Sequence, residues 1–114
     1  MSIELHIEAL SSERALVRVG GEVDLATAPE LAAALEEALA GGRAIVLDLS
    51  DVDFIDTSGV GAMLDARRQI SDRNAELMVV APPGSPARRL LELTELTEAL
   101  AVVDSVDDTP AAGA

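Results

Sequence analysis

The sequence predicts an α/β domain: a mixed, mostly parallel sheet that opens with an antiparallel hairpin and is flanked by helices. Two short segments near the start alternate apolar and polar residues across a turn. Later aliphatic runs show no alternation, as strands covered on both faces do. Between those runs lie segments with apolar residues at helical spacing. The resulting order is strand, strand, helix, strand, helix, strand, helix, strand, with right-handed crossovers joining the parallel strands.

Each element follows from its residues. Ile3, Leu5 and Ile7 fall on one face of a strand and Glu4, His6 and Glu8 on the other, so His6 belongs to the polar face. Residues 9–14, "ALSSER", read as a turn, and Ala15, Val17 and Val19 resume the alternation. After "GGEVDLATAPEL", Thr27 and Glu30 have the spacing of a capping box, which predicts a helix carrying Leu31, Leu35, Ala38 and Leu39 until Gly41 and Gly42 stop it. Ala44 to Leu47 is the first fully buried strand. A second helix follows Gly59, with Val60, Met63, Leu64, Arg67 and Ile70 on one side and Asp65, Arg68 and Asp72 on the other. "RNAE" ends it. "LMVVA" is another buried strand, "PPGSP" a turn, and Pro86 the first residue of a shorter helix reaching Leu91 or Leu93. "LAVVDS" is the last strand. The closing residues hold acids, a proline and small side chains without a core pattern, so one domain over 1–106 and a flexible tail over 107–114 are expected.

Composition excludes several classes of function. With 49% hydrophobic residues in 114, the chain has enough apolar material for a core, yet Phe54 is its only aromatic residue. There is no stacking platform for bases, and a formal charge of -13 repels nucleic acid and anionic membrane surfaces alike. No cysteine is present, which excludes disulfides and thiolate chemistry. No stretch has the length of a membrane span or the pattern of a signal peptide, and a cytoplasmic location is expected. All eight basic residues are arginine. The missing lysine removes the Gly-Lys pair of a phosphate-binding P-loop and the lysine on which response-regulator receivers rely. His6 has no histidine or cysteine partner for a metal. Asp48, Asp51, Asp53 and Asp56 gather near one strand end, but in a chain this acidic they read as solvated acids, and neither a metal nor a cofactor is expected.

The remaining chemistry lies in "FIDTSGVGAML", Phe54 to Leu64. A nucleophile elbow would need glycine where Asp56 stands. Thr57 and Ser58 lie at the junction of a strand with a helix, where a side-chain oxygen satisfies orphan amides, and the simplest reading makes them a cap. Gly59 removes a side chain beside these hydroxyls and lets a partner approach the backbone. A phosphoryl group on Thr57 or Ser58 would be tolerated by the positive end of the helix dipole and would add charge beside Asp56. In an open α/β sheet the loops after "GEVD" and "DTSG" both lie at the carboxyl edge of the strands.

Three segments resemble the STAS domain family and, within it, bacterial anti-sigma factor antagonists. They are "VGGEVDLATAPEL" (Val19–Leu31), "IVLDLSDVDFIDTSGVGAML" (Ile45–Leu64) and "LMVVAPPGSPARRLLELTEL" (Leu77–Leu96). The resemblance implies a STAS-like fold and a protein that is not an enzyme: an antagonist (anti-anti-sigma factor) that, unphosphorylated, binds an anti-sigma factor and so releases a sigma factor. It further implies that this partner is a serine-threonine protein kinase which phosphorylates the hydroxyl after the motif aspartate, here Thr57 with Ser58 next, and that a phosphatase reverses the step. Gly21, Glu22, Asp24, Asp56 and Gly59 are the implied partner-binding residues, and the chain is expected to be a monomer or weak dimer. The alternative is a non-switching STAS scaffold, or a subunit of a stress-signalling or lipid- or anion-transport assembly. Three features depart from the family pattern. The acceptor position is threonine where serine is more usual, Glu95 stands where glycine is frequent, and the tail is too short and polar for the usual closing helix.

Overall fold

The structure, a computed structural model, describes residues 2–41, 44–72 and 76–109. The first two strands, β1 (Ile3–Ala9) and β2 (Arg14–Val23), pair antiparallel, with Ile3 opposite Gly21 and Ala9 opposite Ala15. Their turn is closed by the Leu10 amide, which donates to the Arg14 carbonyl at 2.9 Å, and by Ser11 Oγ, which accepts from the amides of Glu13 and Arg14 at 3.1 Å. Glu4, His6 and Glu8 are exposed, as the alternation requires.

The chain continues through α1 (Ala28–Ala40), β3 (Ala44–Ile55), α2 (Thr57–Ser71), β4 (Leu77–Val80), α3 (Pro86–Leu93) and β5 (Val102–Val103). The sheet runs in the order β1-β2-β3-β4-β5, and every pairing after the hairpin is parallel. Val17, Ile45, Leu47 and Val79 of the sheet pack in one cluster with Leu31 and Leu35 of α1, Met63 and Ile70 of α2, and Leu91 of α3. On the opposite face Leu16, Val46 and Val80 are covered by Val103 and Val106. The central strands are therefore buried on both sides, which is why Ala44 to Leu47 shows no alternation.

Four details differ from the pattern read in the sequence. On α2 the buried side is Val60, Met63, Ala66 and Ile70, while Arg67 is exposed; Ala66 completes the three-then-four spacing of a helix stripe. The last strand has only two residues, because Leu100 turns fully inward and Ala101 adopts φ 47°, which breaks the extended chain. A 3-10 turn at Val106–Asp108 and the buried Thr109, whose hydroxyl donates to the Val106 carbonyl at 2.7 Å, carry the folded chain past 106 to Thr109; residues 110–114 of the expected tail, and Gly42 of the expected helix stop, lie outside the described residues. Finally, β3 is a 12-residue strand that reaches to Ile55 and contains two register shifts against β2. Between the pairs Arg18–Asp48 and Gly20–Asp51, and again between Gly21–Val52 and Glu22–Phe54, β3 carries an extra residue. Such bulges bend a strand and re-aim its side chains.

Two glycines of α2 have opposite surroundings. Gly59 is buried, and a Cβ there would lie 2.7 Å from Val23 Cγ1 and 3.1 Å from Ile55 Cδ1. Gly61 is exposed, and a Cβ would meet nothing within 4 Å. Gly61→Ala is expected to raise stability by about 0.5–1 kcal/mol, since alanine loses less backbone entropy in a helix interior. Gly59→Ala is expected to lower it by about 1–3 kcal/mol through overpacking. Chemical denaturation of both variants checks the difference in sign.

The end of α3 is a Schellman turn. The Leu96 amide donates to the Leu91 carbonyl at 2.9 Å and the Glu95 amide to the Glu92 carbonyl at 3.1 Å, with Glu95 at φ 59°. A side chain in that left-handed conformation is strained, so Glu95→Gly is expected to stabilise the protein by about 1 kcal/mol. A rise in the denaturation midpoint with an unchanged slope is the expected measurement.

Candidate functional site

The site is built where β2 and β3 end side by side. Val23 and Ile55 pair at the last register position, and one residue further the Asp56 amide donates to the Val23 carbonyl at 3.0 Å. That bond ties the loop after β2 to the start of α2. Two strand-to-helix loops thus meet at the carboxyl edge, as parallel strands with their crossovers on one side require.

The β2 loop is braced internally. Asp24 Oδ1 accepts from the Thr27 amide at 3.0 Å, and Thr27 Oγ1 accepts from the Asp24 amide at 2.9 Å while donating to the Glu22 carbonyl at 2.8 Å. Thr27 is buried at 5% exposure, in αR backbone geometry, and makes no side-chain cap bond to α1. The capping box expected of Thr27 and Glu30 is therefore replaced: the hydroxyl turns back into the loop, and the Asp24 carbonyl accepts from the Ala28 amide at 2.8 Å instead. Sequence reasoning missed Thr27 as the residue that fixes Glu22 and Asp24. A threonine three residues after an aspartate was the available signal, since each side chain can bond the other's backbone.

Asp56, not a hydroxyl, caps α2. Its backbone is extended, and its carboxylate accepts from the Ser58 amide at 2.9 Å. The hydroxyl cap expected at Thr57 or Ser58 does not form, because both residues already lie within the helix. Thr57 is exposed and Ser58 half-buried, and among the described residues neither hydroxyl has a hydrogen-bond partner. Gly59, read in the sequence as room for a partner, instead faces inward: its missing side chain lets the first turn of α2 settle on Val23 and Ile55.

Glycine at position 21 also has a structural cause. It adopts φ +81°, and a Cβ there would run into the Ser2 carbonyl oxygen. The Glu22 amide donates to that same carbonyl at 3.0 Å. Glu22 is half-buried, with its Oε2 shielded from solvent and without a hydrogen-bond partner among the described residues. Asp51, Asp53 and Phe54 are exposed. Asp48 is not a solvated acid: it is buried, accepts from the Ser50 amide at 3.0 Å and the Ser50 hydroxyl at 2.6 Å, and lies 3.8 Å from Arg18 Nε. Among the described residues no group of three or more acids or histidines is placed to hold a metal ion.

A serine or threonine nucleophile needs a base within hydrogen-bond reach, and none of the described residues bonds the Thr57 or Ser58 hydroxyl. His6 lies on β1 opposite Arg18. Among the described residues no helix is long and apolar enough to cross a membrane.

Comparison with known proteins agrees with the resemblance carried by the motifs. An anti-sigma-B factor antagonist from Listeria monocytogenes is 30% identical over 105 residues, covering 90% of this chain and 90% of that one. The crystal structure of an anti-sigma factor antagonist from Mycobacterium paratuberculosis superposes with a TM-score of 0.84 at 30% identity, over 94% of this chain and 90% of the other. The phosphorylated form of the Bacillus cell fate determinant SpoIIAA shares the fold, with a TM-score of 0.68 at 21% identity over 92% and 94% of the two chains. The STAS domain model matches residues 6–109, which is nearly the whole described chain. With sequence, sheet order and the central motif in agreement, the chain belongs to the STAS domain family.

Proposed function

We propose that this protein is an anti-sigma factor antagonist switched by phosphorylation of Thr57. The observation that carries the reading is the division of labour at the start of α2: Asp56 takes the cap, and Thr57 is left exposed with an unengaged hydroxyl. Modification of such a hydroxyl breaks no existing bond. The antagonist relatives support the partner class, and a protein of the same fold exists in a phosphorylated form.

In this reading the unphosphorylated protein binds an anti-sigma factor that is also a serine-threonine kinase, and the sigma factor held by that kinase is released. The kinase brings the γ-phosphate of ATP to Thr57 and supplies the base that this chain lacks. The hydroxyl oxygen gains the phosphoryl group, its proton passes to the kinase base, and ADP leaves. The new group adds about -1.5 to -2 charge next to Asp56 and opposite the nucleotide phosphates of the kinase. Repulsion between these anions separates the complex, while the helix dipole tolerates the charge within the folded protein. A phosphatase restores binding. The chain is the substrate and ligand in this cycle, not its catalyst, and Gly21, Glu22, Asp24 and Gly59 serve by shaping the surface around Thr57.

Intact-mass measurement after incubation with ATP and the kinase encoded in the same genome tests the switch. The wild type is expected to gain a phosphoryl group, Ser58→Ala to gain it as well, and Thr57→Ala to gain none. Absence of any gain in the wild type overturns the switching model. Thr57→Ala is expected to change stability by less than about 0.5 kcal/mol, as for surface positions without a structural role. Thr57→Asp is expected to weaken binding to the kinase at least tenfold, about 1.4 kcal/mol, as read by titration calorimetry.

A further inference from the structure

β1 is the end strand of the sheet, paired among the described residues with β2 alone. The register shows which of its backbone groups are left over. One step beyond either end of the ladder, the Glu22 amide donates to the Ser2 carbonyl at 3.0 Å and the Leu10 amide to the Arg14 carbonyl at 2.9 Å. Antiparallel bonding alternates along a strand, so the even-numbered residues of β1 bond to β2, while Ile3, Leu5 and Ile7 turn their amides and carbonyls to the open edge. The ladder has no register shift, and Ile3–Ala9 holds no proline or lysine, two residues that commonly guard such an edge.

The side chains restrict what can pair there. Ile3, Leu5 and Ile7 are half-buried against the core and keep part of their apolar surface open. Glu4, His6 and Glu8 are exposed on the other face, where Arg18, opposite His6, and Asp51 are the neighbouring charges and Arg18 is engaged by Asp48. A second copy laid antiparallel along this edge bonds only through facing odd-numbered residues. With Leu5 opposite Leu5 of the second copy, Ile3 meets Ile7 and Ile7 meets Ile3, three pairs that exchange about six hydrogen bonds. Glu4 then lies opposite His6 of the second copy, twice by symmetry, in the closer kind of pair, and a histidine ring N–H donates to a carboxylate. Glu8 falls opposite Ser2, another donor. Registers centred on Glu4 or on His6 set carboxylate against carboxylate, Glu4 to Glu4 or Glu4 to Glu8. One centred on Ile7 sets Leu5 against Ala9 and leaves Ile3 beyond the paired strand.

We propose that β1 pairs with β1 of a second copy about a two-fold axis through Leu5, with reciprocal Glu4 to His6 contacts fixing the register. The two five-stranded sheets then run on as one. The proposal does not rest on the switching model. A net charge of -13 opposes self-association at long range, so the pairing is expected to be weak and to tighten as salt screens that charge.

Sedimentation equilibrium of the full chain in high salt tests this. The wild type is expected to dimerise with a dissociation constant below about 1 mM. His6→Glu sets carboxylate against carboxylate in both symmetric pairs and is expected to weaken the dimer about tenfold. Adding Glu4→Lys to it is expected to restore affinity to within about threefold of wild type, since opposite charges again face each other. Adding Glu8→Lys instead makes the same change in net charge and is expected to leave the dimer weak. All three positions are exposed, so these variants are expected to fold. Hydrogen exchange gives an independent reading: the amides of Ile3, Leu5 and Ile7 are expected to slow as protein concentration rises. A chain still monomeric at about 1 mM overturns the proposal. So does a dimer that leaves those amides fast, one indifferent to His6→Glu, or one rescued equally by Glu8→Lys and Glu4→Lys. Protection of the three amides only when an anti-sigma factor is added assigns the edge to a foreign strand and likewise overturns it.

Discussion

The parallel pairing of β2 with β3 is the constraint on which the rest depends. It holds the two longest strands together from Arg14–Ala44 to Val23–Ile55, and the Asp56 amide extends it by one more bond to the Val23 carbonyl. Because the strands are parallel, both loops leave at the same edge, and both connections cross back over the same face as α1 and α2. The close seat of α2 follows from this. Its first turn rests on Val23 and Ile55, which only glycine at position 59 permits. Shift the pairing by one residue and the cap, the glycine contact and the exposure of Thr57 would all be lost together.

Much of the fold was legible because its signals are periodic. The hairpin declared itself by alternation, the buried strands by unbroken aliphatic runs, and the helices by stripes ending near glycine or proline. The two bulges of β3 were not legible. An inserted residue leaves an ordinary run of acids and apolar residues, and only the partner strand reveals which residue is extra. This is why the sequence showed that Phe54 is the sole aromatic residue but not that it faces outward. The brevity of β5 was hidden for a similar reason: "LAVVDS" has the composition of a strand, while the left-handed Ala101 that interrupts it has no composition signal.

The site was legible in its location and less so in its roles. Asp56, Thr57 and Ser58 are all good capping residues, so spacing alone could not say which one takes the cap. Strand pairing decides. Asp56 makes the last sheet bond through its amide, which leaves its backbone extended and its carboxylate over the first helical amides. Thr27 is the converse case. Its spacing to Glu30 matched a capping box, yet the Asp24 loop offered the hydroxyl a donor at 2.9 Å and an acceptor at 2.8 Å, and a tight turn outcompeted the helix end. Glu95 marked a departure from the family pattern in sequence; in the structure it is the left-handed residue of the α3 terminus.

The assignment of the cap to Asp56 bears on how a switch at this position could work. Were a hydroxyl the cap, phosphorylation would disturb the helix start, and signal and stability would be coupled. With Asp56 holding the Ser58 amide, a phosphoryl group on Thr57 would leave the α2 terminus and the core beneath it as they are. The modified and unmodified proteins would then differ in surface charge and shape, not in fold. Such a switch has to be read by a partner that contacts the loop directly, since no internal rearrangement carries the change elsewhere.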